Sequence, residues 1–260
     1  NLIYTWKNAG LNDDQNTVYA VDIDDDGDMD VLSGSDYYLS LHLNNGSESF
    51  TTQHVFESNV QYSFCPNSIH TADIDGDGDM DIVSSSRCDK KISWYENDGS
   101  ESFTRHTLYT HSEGSIGTHI ADIDSDGDID VLSTSPDKKI NWYENNGSGS
   151  FTTHQIATSV YPTAIYSTDI DDDGDVDVAV ADYSDGSSNF KGKITIYINN
   201  GSESFTSINV ATNVQAPRNI HVMDMDKDGD EDIVATRLDY NVDWYENNGS
   251  EIFTAHEVTG

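Results

Sequence analysis

Five stretches of this chain set aspartates at every second position. They are Asp22, Asp24, Asp26, Asp28 and Asp30; Asp73, Asp75, Asp77, Asp79 and Asp81; Asp122, Asp124, Asp126, Asp128 and Asp130; Asp169, Asp171, Asp173, Asp175 and Asp177; and Asp224, Asp226, Asp228, Asp230 and Asp232. A glycine stands sixth in every copy: Gly27, Gly78, Gly127, Gly174 and Gly229. Carboxylates this close repel one another unless a cation sits between them. Hard oxygen donors suit Ca²⁺, which takes six to eight oxygens at about 2.3–2.6 Å. The set contains no His or Cys, which argues against zinc and copper, and Mg²⁺ would demand a tighter octahedron with more water. Each loop is therefore expected to hold one Ca²⁺, about five ions in all. The carboxylates of positions one, three, five and nine would ligate and the seventh residue would offer its backbone carbonyl. The glycine supplies the sharp turn. A solvated acidic turn without metal accounts poorly for five complete copies.

These positions hold 25 of the 48 acidic residues of the 260-residue chain. The formal net charge is −36, and five Ca²⁺ would leave about −26. Such acidity excludes nucleic acid and anionic membranes as partners, since both need a basic patch. It suits cation binding and a salty extracellular setting. No apolar run reaches the roughly 18–20 residues of a membrane span. The chain opens without a signal peptide, as expected of a processed or excised part of something longer.

The motifs begin at 22, 73, 122, 169 and 224, a spacing near 50 residues. Each is preceded by a short apolar run (a) and followed by a second (b), such as "DIVSSS". A third (c) follows, such as "KISWYENDGS", and a fourth (d), such as "ESFTRHTL". The runs are rich in Ile, Val, Thr, Tyr and Trp and bounded by Gly, Asn, Asp and Ser, the composition of strands. The "NG" or "DG" between c and d is a strong hairpin signal. No helical period is evident. Four antiparallel strands every ~50 residues predict an all-β fold, a β-propeller of four-stranded blades, five in number with one Ca²⁺ loop each, as a single domain over 1–260. A repetitive β-sandwich is the competing arrangement. The opening "LIYTW" (2–6) resembles a surplus d strand. It is either an added edge strand, a strand docked on a neighbouring copy, or the trace of a larger ring.

The stretch "DIDGDGDMDIVSSS…KISWYENDGSESFT" resembles the FG-GAP/VCBS repeat family of calcium-binding β-propellers, related to the integrin α-chain head. The resemblance covers essentially the whole chain. It implies that the acidic loop joins the two inner strands of each blade and that its role is structural. Literal Phe-Gly and Gly-Ala-Pro signatures are absent, so the likeness is to the VCBS-like branch. EF-hands and dockerins share the loop but need flanking helices.

Alternating strand direction puts the acidic loops and the c–d turns on one end, and the b–c and d–a connections on the other. Cys65 lies just before strand a of its blade and Cys88 just after strand b. Around the loop 73–81 these positions face each other, which predicts a disulfide worth roughly 3 kcal/mol and an oxidising, extracellular location. The far end has connections of uneven length and many aromatics: Tyr37, Tyr38, Tyr62, Phe64, Tyr109, Tyr161, Tyr183, Phe190 and Tyr240. Variable loops on a rigid scaffold are where binding sits. These rings either form a partner face for protein or glycan, or pack over loop stems.

Tyr19, His70, His119, Tyr166 and His221 each stand three residues before a motif, so strand a could line them around the central channel, as interblade packing or as an ion-binding ring. Trp94, Trp142 and Trp244 are expected in interblade packing, and His106, His154 and His256 as exposed filler on strand d. Asn45, Asn146, Asn200 and Asn248 begin N-glycosylation sequons on the c–d turns, where turn geometry alone also explains them. No nucleophile elbow, metalloprotease motif or P-loop occurs, so no enzyme is expected. The leading expectation is a non-catalytic extracellular adhesion or recognition module. Its alternative is a structural subunit of a fibre or surface layer, built from copies of itself. A lectin-type or accessory domain of a polysaccharide-degrading enzyme is a further reading.

Overall fold

The computed structural model describes residues 15–47, 49–58, 64–113, 117–184, 186 and 189–258. The chain forms twenty strands in five sheets. Blade 1 holds β1 (Gln15–Val21), β2 (Asp30–Ser35), β3 (Tyr38–Asn44) and β4 (Phe50–Glu57). Blade 2 holds β5 (Pro66–Ala72), β6 (Asp81–Ser86), β7 (Lys91–Asn97) and β8 (Phe103–Thr110). Blade 3 holds β9 (Gly117–Ala121), β10 (Asp130–Ser135), β11 (Lys139–Asn145) and β12 (Phe151–Thr158). Blade 4 holds β13 (Pro162–Thr168), β14 (Asp177–Asp182), β15 (Lys191–Asn199) and β16 (Phe205–Gln215). Blade 5 holds β17 (Pro217–Met223), β18 (Asp232–Arg237), β19 (Val242–Asn247) and β20 (Phe253–Glu257). Each sheet pairs its strands antiparallel in chain order. This is the blade architecture of a β-propeller, as expected. The "LIYTW" strand falls outside the described residues. Among the described residues no helix is long and apolar enough to cross a membrane.

Burial follows position within the blade. The second strands β6, β10 and β14 are buried at all six residues, because a blade in the middle of the series has a neighbour on both faces. The outermost strands β8 and β12 alternate between intermediate and exposed residues, as befits a sheet edge. Proline opens β5, β13 and β17, the innermost strands, where a missing backbone donor at a strand's first residue on a sheet edge is tolerated.

Each blade packs its rear face on the front face of the one before. Phe103 of blade 2 joins the cluster of Leu39 and Leu41 in blade 1. Phe151 of blade 3 joins Ile92 and Trp94 of blade 2. Phe205 of blade 4 joins Ile140 and Trp142 of blade 3, and Phe253 of blade 5 joins Ile194 and Ile196 of blade 4. The core is thus four repeated interblade seams rather than one centre.

Cys65 and Cys88 form a disulfide with Cα atoms 5.4 Å apart. The β5–β6 register aligns Ile69 with Ser84 and Thr71 with Ile82. Extending it brings the cysteines together at the open end of that hairpin, where Arg87 N–H donates to the Cys65 carbonyl at 3.1 Å.

Candidate metal centres

Each acidic loop closes the hairpin between a blade's first and second strands, and in blade 3 its hydrogen bonds show how nine residues fold back. Asp122 Oδ1 accepts from Asp126 N–H (3.1 Å) and its Oδ2 from Gly127 N–H (3.0 Å). Asp126 Oδ1 accepts from Asp128 N–H at 2.9 Å. Asp130 Oδ2 accepts from Ile123 N–H (3.0 Å) and its Oδ1 from Asn145 N–H (2.7 Å). The last carboxylate therefore fastens the exit of strand a to the end of strand c. The same pair of bonds recurs at Asp30, Asp81, Asp177 and Asp232. The sixth-position glycines have φ between +91° and +102°. A Cβ there would meet nothing within 4 Å, so backbone conformation rather than space requires glycine.

The folding gathers the carboxylates of positions one, three and nine. In every blade one oxygen from each lies within 4.8 Å of the others: Asp22/Asp24/Asp30, Asp73/Asp75/Asp81, Asp122/Asp124/Asp130, Asp169/Asp171/Asp177 and Asp224/Asp226/Asp232. Position five stands outside this set, with one oxygen committed to the amide of position seven. The position-seven carboxylates lie elsewhere again. A Cβ on Gly46, Gly99, Gly147, Gly201 or Gly249 would collide with Asp28, Asp79, Asp128, Asp175 or Asp230 respectively. The c–d turns and the acidic loops are thus packed together on one end.

The electrostatics suit a cation. Burial raises the carboxyl of Asp81 and of Asp130 to about 6 and that of Asp177 to about 7. The indole N–H of Trp94 and of Trp142 opposes this at Asp81 and Asp130, although neither reaches hydrogen-bond geometry. Asp75, Asp124 and Asp171 are raised by burial and then by neighbouring carboxylates. Asp75 Oδ1 and Asp171 Oδ1 are buried without any hydrogen-bond partner. Three carboxylates within reach of one another, in two of the loops with a buried oxygen that has no hydrogen-bond partner, make the all-oxygen donor set a hard cation completes, so the residues present fit a metal ion.

Several partners of these loops escape a reading of the motif. Asn145 Nδ2 donates to the Ile74 carbonyl in the preceding blade's loop at 2.7 Å, and Asn199 Nδ2 to the Ile123 carbonyl at 3.0 Å. The sequon residues Asn45, Asn146, Asn200 and Asn248 accept with Oδ1 from the amide two residues on, as does Asp98 in blade 2. The turn thus uses only an oxygen that Asn and Asp share. His106, His154 and His256 are not loose filler. They stack on Trp94, Trp142 and Trp244 with centroids 4.5, 4.5 and 4.6 Å apart. Each ring also bonds a glutamate of strand c, Glu96, Glu144 or Glu246, at 2.6–2.7 Å.

On the innermost strands, Tyr19, His70, His119, Tyr166 and His221 form a string of ring contacts 4.3–6.0 Å apart. His70 Nε2 donates to the Thr118 carbonyl of the next blade at 2.7 Å. His119 Nδ1 accepts from Ser167 N–H, also one blade on. These bonds are those of interblade packing.

At the opposite end, b–c and d–a connections are bonded to one another. Ser58 N–H donates to the Tyr37 carbonyl, His111 to Lys90, Tyr183 to Tyr161 and Ala216 to Phe190. Tyr161, Phe190 and Tyr240 are exposed there. Tyr183 lies edge-on to Phe190 and beneath the Arg218 guanidinium. Tyr38 stacks on His54, and Tyr109 packs on Tyr143. Phe64 is buried against Phe56, with Arg105 over both rings, so it belongs to the seam between blades 1 and 2. Tyr62 lies outside the described residues.

No curated protein matches the sequence. Among solved structures the chain is similar to a lectin from Agrocybe aegerita, described as recognising non-reducing terminal N-acetylglucosamine. The TM-score is 0.62 and the identity 19%, over 94% of this chain and 65% of the lectin's. The chain thus spans 65% of the length of that structure, and the likeness is one of fold. A family profile described as an FG-GAP-like repeat matches residues 22–84, 73–133, 122–180 and 169–235, so that each match runs from one acidic loop into the next. With the loops, hairpins and seams all following that repeat, the chain belongs to the FG-GAP-like repeat family.

Proposed function

We propose that this protein is a calcium-stabilised, non-catalytic recognition module that works outside the cell. The observation that carries the calcium reading is the convergence of three carboxylates in all five loops, with buried oxygens left unpaired at Asp75 and Asp171. Positions one, three and nine would hold the ion, with positions five and seven beside them. The cation would relieve the repulsion within the loop and fix the a–b hairpin. The disulfide supports an oxidising compartment, where Ca²⁺ is plentiful.

Recognition is assigned to the end away from the loops, where Tyr161, Phe190 and Tyr240 stand exposed on connections of unequal length. Aromatic faces of this kind suit glycan or protein partners, and the lectin of similar fold favours the glycan. The test is a glycan array with the Ca²⁺-loaded protein, repeated after Tyr161→Ala, Phe190→Ala and Tyr240→Ala. Retained signal in all three variants, or no signal with the wild type, would discard the glycan reading.

A further inference from the structure

Every seam between consecutive blades buries a tyrosine from the third strand of the later blade: Tyr95, Tyr143, Tyr197 or Tyr245. The seams close over it differently. Between blades 1 and 2, Phe56, paired with Leu39 on the fourth strand of blade 1, lies 6.2 Å from the Tyr95 ring. Arg105, paired with Tyr95 on the fourth strand of blade 2, sets its guanidinium 4.3 Å over Phe56 and 5.7 Å over Tyr95. Between blades 2 and 3, Tyr109 holds the Phe56 position and packs 5.2 Å from Tyr143. Between blades 4 and 5 both positions are alanine: Ala211, paired with Ile194, and Ala255, paired with Tyr245. A groove of about 330 Å³ opens there, with Ala211, Ala255 and Tyr245 in its lining. That is the size of a small ligand pocket, which runs from about 300 to 1,000 Å³.

The same seam gains polar groups where blade 2 has serines. Arg237 and Asp243 occupy the positions of Ser86 and Ser93, and both line the groove. Arg237 Nη1 lies 3.1 Å from Asp243 Oδ2, and the same oxygen accepts from the Tyr245 hydroxyl at 3.2 Å. Asp243 is only 7% exposed. Arg237 also meets Asp239 at 3.1 Å and Glu257 at 3.5 Å. Three carboxylates against one guanidinium leave no spare positive charge, which opposes an anionic ligand. Ala157 repeats the small residue between blades 3 and 4, but Asp182 stands there in place of Arg237.

We propose that the groove between blades 4 and 5 is a binding site for one neutral pyranose ring of a glycan. The space is that of a ring, since Phe56 and Tyr109 fill it elsewhere. The floor is not that of an aromatic ring, which would cover Arg237 and Asp243 without giving them partners. A guanidinium only donates, a carboxylate only accepts and a hydroxyl does both, so adjacent ring hydroxyls bridge the two. Ala211, Ala255 and the Tyr245 ring remain for the C–H face of the sugar. The groove lies at the end of the molecule away from the acidic loops, where Tyr240 stands on the turn joining β18 to β19. The assignment rests on the glycan reading of that end and gives it a defined pocket.

The test is an array of glycans ending in neutral hexoses, beside glycans ending in sialic acid or sulfated sugars, probed with the Ca²⁺-loaded protein. The wild type should bind chains with a neutral end. Ala211→Phe supplies the ring that blade 1 has in Phe56. Ala255→Arg, at an exposed residue, supplies the cover that blade 2 has in Arg105. Asp243→Asn keeps the size and removes the charged acceptor. Each should weaken binding about tenfold or more, the equivalent of a lost hydrogen bond to a charged group. A melt in Ca²⁺ verifies folding, and Ala211→Phe should melt no lower than the wild type because it fills the seam. Wild-type affinity in all three variants overturns the groove and leaves the glycan reading standing. A wild type that binds no glycan on the array loses both. Binding confined to sialylated or sulfated chains overturns the neutral-sugar assignment.

Discussion

The side-chain amide of Asn145, in blade 3, donates to the main-chain carbonyl of Ile74, inside the acidic loop of blade 2, at 2.7 Å. Ile74 lies between two of the clustered carboxylates, Asp73 and Asp75. Acidic cluster and blade seam are therefore one structure. Asn145→Ala removes this bond and the one to the Ile129 carbonyl. Leaving buried carbonyls unpaired costs roughly 1–3 kcal/mol. The expected outcome is a lower melting temperature and weaker Ca²⁺ binding at the second loop, although the substitution lies in the third blade. Calorimetric titration showing all sites unchanged would separate loop from seam.

Asp130 is fully buried and takes two main-chain hydrogen bonds while facing the cluster. Asp130→Asn should lower the measured Ca²⁺ stoichiometry by about one. Each saturated site adds about 2.7 kcal/mol at a free ion concentration of 100 times its dissociation constant. Chelation of the wild type should accordingly lower its melting temperature sharply, and an identical melt in chelator would remove calcium from the account.

Gly127 has φ +98° with open space around it. Gly127→Ala should cost about 1–3 kcal/mol through conformation alone. Ser125, two residues earlier, has φ +61°. Ser125→Gly installs the residue blade 2 has at Gly76, and should be neutral or stabilising by up to about 1 kcal/mol. Chemical denaturation at saturating Ca²⁺ measures both, and equal effects would contradict the conformational argument.

Burial holds the His119 imidazole far below its ordinary value, at about 3, with His70 and His221 adding to the effect. Because Ser167 N–H donates to Nδ1, that nitrogen carries no proton in the folded state. Between pH 6.5 and 3 the unfolded chain binds the proton and the folded chain does not. Acidification through that window therefore removes stability, by up to about 1.4 kcal/mol per pH unit, and raising the pH restores it. The stability advantage of the wild type over His119→Asn should shrink as pH falls, and proton NMR should show no His119 titration above pH 4. A titration midpoint near 6.5 would contradict the packing described.

Strand order, blade number and the cysteine pairing could be read from the sequence because each rests on local repetition: an acidic loop, an Asn-Gly turn, and a hairpin register that carries Cys65 to Cys88. The stacking of His106 on Trp94 was not legible, since it joins neighbouring strands through side chains whose spacing of twelve residues signals nothing by itself. The left-handed conformation of Asp25, Ser125, Asp172 and Lys227 was hidden for a related reason. Only blade 2 marks that position with glycine, and the loop imposes it on the others. Phe64 looked like its aromatic neighbours in a variable loop, and only the packing of Arg105 and Phe56 over it reveals a seam residue.

The motif spacings differ by up to eight residues, yet in all five acidic loops the first carboxylate accepts from the glycine amide, the fifth from the seventh amide, and the ninth makes its same two main-chain bonds. The variation is therefore absorbed in the far-end connections, as in the stretch between β14 and β15 and in the eleven-residue β16. Insertions there lengthen a connection whose stem is already tied by the main-chain bond from Ala216 to Phe190, and leave the other end untouched. The molecule is in this sense a cassette holder. Its loops can be exchanged, lengthened or diversified one blade at a time, and the end that carries the acidic loops need never be redesigned to accommodate them.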